Sequence, residues 1–174
     1  MTKPNTEDIT LTVRAARLAC ERHAGQSKKR QRRSVIDHCL EVAQLVSEAG
    51  FAGEVVAAAV LHDTVEKGDT QQHELEERFG PRVRALVEAV TDAPWETKQA
   101  IHARLKSAPP EAQAIKCADI VSNLEALARV GELTTEDLED KAATLAVLTD
   151  ANPALAERAA RIIARGAGEI ATSA

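Results

Sequence analysis

The chain has 174 residues, 44% of them hydrophobic but only 2% aromatic, with no tyrosine and a formal net charge of −5. That length suits one well-buried core and is short for two, and a composition dominated by aliphatic and helix-favouring residues predicts a single all-α domain over 1–174. The acidic balance argues against a general nucleic-acid binder, and no apolar run approaches the ~20 residues that cross a bilayer.

Caps and periodicity predict eight to nine helices. The first follows Asn5-Thr6, with Glu7 and Asp8 in its first turn, and runs to about Arg22. The second covers about Ser34 to Gly50 and places Val35, Cys39, Val42 and Val46 on one stripe. A third covers about Gly53 to Glu66. Thr70 is expected to cap a short helix that stops at Gly80, and Pro81 opens the next. Pro94 is expected to open "PWETKQAIHARLK". The long "PEAQAIKCADIVSNLEALARV" follows the Pro109-Pro110 break, Thr135 with Asp137 starts the penultimate helix, and "NPALAERAARIIARG" closes the fold. Residues 168–174 read as a frayed tail. No strand pattern competes.

The cysteines Cys20, Cys39 and Cys117 form no close pair, which suits free thiols in a reducing, cytoplasmic compartment. The start "MTKPNTEDIT" has no signal-peptide core.

Chemistry concentrates on the histidines. His73 and His102 read as surface residues and His23 as a helix-end residue. His38 lies on an amphipathic helix, and His62 follows the apolar run "VVAAAVL" and precedes Asp63. A buried imidazole beside a buried carboxylate is costly unless each is paired or bound to a metal. Adjacent helical residues diverge by about 100°, so a shared ion needs ligands from other helices. His38 can supply a nitrogen and Asp119 an oxygen, a set that suits Mn, Fe or Zn. Cys39 and Cys117 point away from these ligands on their helices, which argues against a thiolate site. Glu66 stands three residues after Asp63 and four after His62, which makes it either a candidate catalytic carboxylate that orients or deprotonates a bound water or a solvated last-turn acid. Lys67, four after Asp63, reads as an ordinary ion-pair partner, and Asn123, four after Asp119, as a group holding that ligand or bonding across the core.

"SKKRQRRS" reverses the sign of an acidic chain with Lys28, Lys29, Arg30, Gln31, Arg32 and Arg33. It reads either as a solvated loop or as a loop delivering cations to a polyphosphate. No aromatic residue interleaves the charges to stack bases.

In this order the motifs "HAGQSKK", "DH", "AAAVLHDTVE", "LEERFGPRVRALVEAVTD", "WETK" and "IKCADIVSNLEAL" resemble the HD-domain hydrolases of the RelA/SpoT type, most closely the stand-alone small alarmone hydrolases, over roughly residues 10–130. The resemblance implies an all-α HD fold and one Mn²⁺, with Zn²⁺ or Fe²⁺ as alternatives, on His38, His62, Asp63 and Asp119. It implies removal of the 3′-pyrophosphate from ppGpp or pppGpp, giving GDP or GTP and pyrophosphate. Lys28 and Lys29 match a nucleotide-contacting basic pair, Glu66 the first acid of a Glu-Asp pair, Asn123 a substrate-contacting asparagine, and Lys98, in a segment with Trp95 and Glu96, a phosphate contact. The implied partner is a small nucleotide polyphosphate, not a nucleic acid or a membrane; self-association is common among such enzymes. Two departures stand out. Lys67 occupies the place of the second acid, and the C-terminal tyrosine segment is missing. They leave two alternatives open: a hydrolase of another nucleotide such as an adenosine alarmone, or a catalytically weak alarmone-binding or interaction domain.

Overall fold

The computed structural model describes residues 5–173, in ten α-helical segments and one minimal hairpin. Helix α1 (Thr6–Arg22) starts at a reciprocal capping box between Asn5 and Asp8. The basic run, expected as a loop between helices, forms a minimal hairpin. Its ends pair as antiparallel strands β1 (Ser27–Lys28) and β2 (Arg33–Ser34) around a 3₁₀ turn at Lys29–Gln31, closed by Arg32 at φ 52°. Helical hydrophobic spacing is absent from a stretch of six polar residues, so side-chain partners elsewhere decide its shape.

Helix α2 (Val35–Glu48) is capped by the Ser34 side chain, and α3 (Glu54–Leu61) buries every residue from Val55 to Leu61. A helix apolar on all sides belongs at the centre of a domain. Here α3 packs against α1, α2, α6 and α8. The predicted third helix does not run unbroken to Glu66. His62 and Asp63 both keep αR geometry but lie in a turn, and a separate single turn, α4 (Thr64–Lys67), follows. The Thr64 hydroxyl donates to the Leu61 carbonyl at 2.6 Å, and such back-bonding competes with the helix ladder.

Helix α5 (Gln72–Phe79) begins two residues beyond the expected Thr70 cap, because Thr70 is buried and its amide donates to the Thr64 carbonyl. Pro81 opens α6 (Pro81–Val90) as expected. Pro94 does not open a helix. The Glu96 side chain folds back to accept from the Ala93 amide and Arg104, and α7 (Lys98–Ser107) starts instead at Thr97, whose hydroxyl accepts from the Ala100 amide. Helix α8 (Pro110–Val130) ends on Gly131 at φ 73°, and α9 (Thr135–Leu145) opens on a Thr134–Asp137 capping box. Asn152 caps α10 (Pro153–Ser173).

The expected stop of α10 at Gly166 is absent, and the helix continues through residues read as a frayed tail; Ala174 lies outside the described residues. Gly166 serves packing: a Cβ there would meet Leu133 Cδ2 at 2.9 Å. Among the described residues no helix is long and apolar enough to cross a membrane.

Candidate metal centre

Four side chains from three parts of the chain converge on one point. His38 comes from α2, His62 and Asp63 from the turn after α3, and Asp119 from α8. His38, His62 and Asp63 are buried, and each offers a ligand atom within 4.8 Å of the others. Asp119, with its side chain 14% exposed, brings Oδ1 to 3.1 Å from His38 Nε2 and 3.8 Å from His62 Nε2. The break between α3 and α4 lets two adjacent residues aim at one point despite their divergence on a regular helix.

The ring nitrogens define what the point needs. His62 Nδ1 donates to the Ala59 carbonyl at 2.8 Å, so in the neutral ring the lone pair sits on Nε2. His38 Nδ1 faces the Ser122 hydroxyl at 2.9 Å, and its Nε2 stands 3.2 Å from His62 Nε2. Asp63 Oδ2 is buried without a hydrogen-bond partner, 3.8 Å from His38 Nε2. Asp63 Oδ2, Asp119 Oδ1 and the two facing imidazole nitrogens thus gather around one point, an arrangement that a cation satisfies. The donor set, two imidazoles and two carboxylates, fits a divalent transition ion.

The electrostatics treat the two imidazoles differently. Burial pushes His38 down to about 4, against the pull of Asp119, so its ring is neutral at ordinary pH. Burial also opposes charge on His62, but Asp63 and Asp119 outweigh it and raise its value. Asp119 stays well below the usual carboxylate range despite burial, held there by the two imidazoles and Lys116. Asp63 is lowered in the same way by His62, Lys67 and Lys28. Burial pushes the Cys39 and Cys117 thiols up to about 12, so neither offers a thiolate; Cys20 is exposed.

A cavity of about 480 Å³ opens over this cluster, with Lys28, Lys29, Lys67, Lys116 and Lys141 on its wall beside Asp119 and Glu66. Along α8, Lys116, Asp119, Asn123 and Leu127 present one helical face to it. Lys28 donates to Asn123 Oδ1 at 3.1 Å and stands 3.7 Å from Asp63 Oδ2. Asn123 in turn donates to Asp119 Oδ1 at 2.5 Å and accepts from Gln31 at 2.7 Å, so it ties the hairpin to the acid. Lys29 is exposed on the rim. Glu66 lines the cavity and pairs with Lys67 at 3.5 Å.

Lys67 binds Asp63 Oδ1 at 2.8 Å, and its side chain remains 39% exposed. The ordinary i,i+4 pair is therefore present, but one partner is a candidate ligand and the other faces the cavity. Lys98 is not brought into this group. It is 80% exposed, pairs with Asp140 at 2.5 Å, and lines a neighbouring cleft with Arg30 and Asp137. Trp95 is 84% exposed. Sequence reasoning missed Lys116, whose place three residues before Asp119 is the signal that could have found it, and Ser122, three residues after.

Fold and site together define an all-helical domain that presents paired histidines and aspartates to a cation-lined cavity. The chain belongs to the HD-domain family, whose model matches residues 15–161. It is 37% identical over 131 residues to the Xenopus tropicalis guanosine-3′,5′-bis(diphosphate) 3′-pyrophosphohydrolase MESH1, covering 71% of this chain and 73% of that protein. Identity to the Homo sapiens MESH1 protein is 40% over 124 residues, 67% of this chain and 69% of that one. A match of 46% to an Aquifex aeolicus guanosine-3′,5′-bis(diphosphate) 3′-pyrophosphohydrolase spans 45% of this chain but only 11% of that longer protein. A solved structure described as a metazoan ortholog of SpoT that hydrolyzes ppGpp superposes with a TM-score of 0.78 at 26% identity, over 95% of this chain and 98% of that one.

Proposed function

We propose that this chain hydrolyses guanosine 3′,5′-bis(diphosphate) at its 3′-pyrophosphate, releasing pyrophosphate and leaving GDP, or GTP from the pentaphosphate. Relatives named for this activity cover most of the chain and support the reading. The observation that carries it is the meeting of His38 Nε2 and His62 Nε2 at 3.2 Å beneath a cavity walled by lysines. His38, His62, Asp63 and Asp119 are the proposed holders of one divalent ion, for which we favour Mn²⁺ over Zn²⁺ or Fe²⁺. When bound, such an ion acidifies water and neutralises charge on a phosphoryl oxygen.

The chain's own residues do the rest. Lys28, Lys29 and Lys116 offset the charge of the pyrophosphate and orient it across the cluster. Glu66 takes a proton from the attacking water as the new P–O bond forms on the phosphorus bearing the 3′-oxygen. The bond from that phosphorus to the 3′-oxygen breaks, the leaving oxygen takes a proton from solvent to become the hydroxyl, and Glu66 returns its own proton to solvent. Asn123 keeps Asp119 and the basic hairpin in register with the substrate. The location that goes with this chemistry and with three free cysteines is the cytoplasm.

A second reading keeps the hydrolase and changes the nucleotide. Lys67 supports it, since a cation at 2.8 Å from Asp63 alters the charge beside the reacting phosphate. Guanosine and adenosine 3′-pyrophosphates supplied in parallel to the wild type and to Asp119→Ala separate these readings. The proposal expects pyrophosphate from the guanosine compound and at least a hundredfold loss in the variant, on the scale of removing an essential charged group. Equal rates in the two proteins sink it, and preference for adenosine moves it to the second reading.

A further inference from the structure

The proposed mechanism leaves one partly buried charged network unused, directly behind His38. The Arg33 side chain, only 11% exposed, pairs with Glu41 and sends Nη2 to the Ser122 carbonyl at 3.1 Å and to the Ser122 hydroxyl at 3.0 Å. The Ser122 hydroxyl donates to Glu41 Oε2 at 2.7 Å. His38 Nδ1 lies 2.9 Å from that hydroxyl and 3.0 Å from Arg33 Nη2.

Counting protons resolves the network. A serine hydroxyl has one hydrogen and two lone pairs, and a guanidinium has donors only. The hydrogen of Ser122 goes to Glu41, so the hydroxyl can meet His38 Nδ1 only by accepting from it. Nδ1 then carries the proton, and Arg33 places its own protons on the two oxygens of Ser122. Nε2 is left bare toward Asp119 and His62. In the opposite tautomer Arg33 donates to Nδ1, and Nε2–H occupies the position needed for a ligand.

We propose that Glu41, Ser122 and Arg33 form a positioning relay that holds His38 in its Nδ1–H tautomer and so keeps Nε2 available as a metal ligand. Its purpose rests on the metal-centre reading above, whereas the tautomer it sets does not depend on any ion. None of the three lines the cavity over the cluster; each acts through His38. Carboxylates behind ligating histidines do this work directly in many metal sites. Here a serine relays the carboxylate, and the arginine that balances it comes from strand β2, so the basic hairpin and the ligand are built as one unit.

The test uses two readouts on the full chain. Nitrogen NMR of metal-free protein labelled with [¹⁵N]histidine is expected to show His38 protonated at Nδ1 in the wild type. In Ser122→Ala, where Arg33 remains the neighbour of Nδ1, the proton is expected to move to Nε2. Titration with Mn²⁺ against a competing chelator is expected to show affinity 10–100-fold lower in Ser122→Ala. Glu41→Gln is expected to change both readouts in the same direction, and it replaces the serine variant should that one fail to fold. A wild-type His38 protonated at Nε2 overturns the relay, as does a Ser122→Ala protein with the wild-type tautomer and wild-type Mn²⁺ affinity. A wild type that binds no Mn²⁺ defeats the metal-centre reading instead, while the NMR result still decides the relay.

Discussion

Lys67 shows what a single residue can change without disturbing its neighbours. An i,i+4 pair with Asp63 was legible from spacing alone, and it forms at 2.8 Å. What spacing could not tell is that Lys67 takes Oδ1 while Oδ2 is left facing His38. Lys67→Met is therefore expected to tighten Mn²⁺ binding by about 1 kcal/mol, the scale of a half-exposed ion pair, and to raise KM for the polyphosphate; chelator competition and steady-state kinetics check both. Unchanged affinity would show that the ammonium does not act on the ligand. The candidate ligands were readable as a group because an imidazole and a carboxylate at the end of an apolar helix demand a partner. Arg33 was not, since its charge is balanced by Glu41, which lies in a different element and eight residues away. Lys98 differs in placement: it shares the motif's order, and its Nζ goes to Asp140 outside the lysine-walled cavity.

At the scale of elements, the break after α3 matters most. Helical periodicity located the helix well but extended it through Glu66, because a stop made by Thr64 and His62 side chains on backbone carbonyls leaves no mark in hydrophobic spacing. The single turn α4 is wedged against α1 at Gly68, where a Cβ would stand 2.7 Å from the Thr64 carbonyl oxygen and 2.9 Å from Arg22 Cβ. Gly68→Ala is expected to lower stability by about 1–3 kcal/mol, as overpacking does, and to shift Asp63 and Glu66 enough to reduce kcat; urea unfolding and kinetics report the two effects. Wild-type values for both would mean that α4 moves without consequence. The hairpin was missed for a related reason. Its two-residue strands are held by bonds from Gln31 and Lys28 to Asn123 and from Arg30 to Asp137 and the Glu132 carbonyl, and none of these partners lies near it in sequence.

Across the whole molecule, the domain is a centre of α3 and α8 with the His-Asp cluster at one end and a basic flap fastened over it. The all-α class and most helices were legible from composition, caps and prolines, which act locally. The cavity was not, because its wall is shared by the hairpin, α4, α8 and α9. One of the fasteners has a pH signature. Hydrogen bonds from Arg30 hold the Asp137 carboxyl down to about 2, from an ordinary 3.8. A lowered carboxylate stabilises the fold above its ordinary value and loses that contribution as pH falls through the lowered one. The urea midpoint of the wild type is thus expected to exceed that of Asp137→Asn near neutral pH, and the gap to close as pH falls from 3.8 toward about 2. A gap that persists at the acid end contradicts this.

The central claim, that the two histidines and two aspartates hold an ion required for release of pyrophosphate from ppGpp, is tested most directly by stripping the protein with a chelator and following GDP and pyrophosphate before and after Mn²⁺ is restored. Equal amounts of the two products, appearing only after Mn²⁺ and not with Asp119→Ala, are the predicted result. Product formation by the stripped protein, or none from the restored wild type, would contradict it.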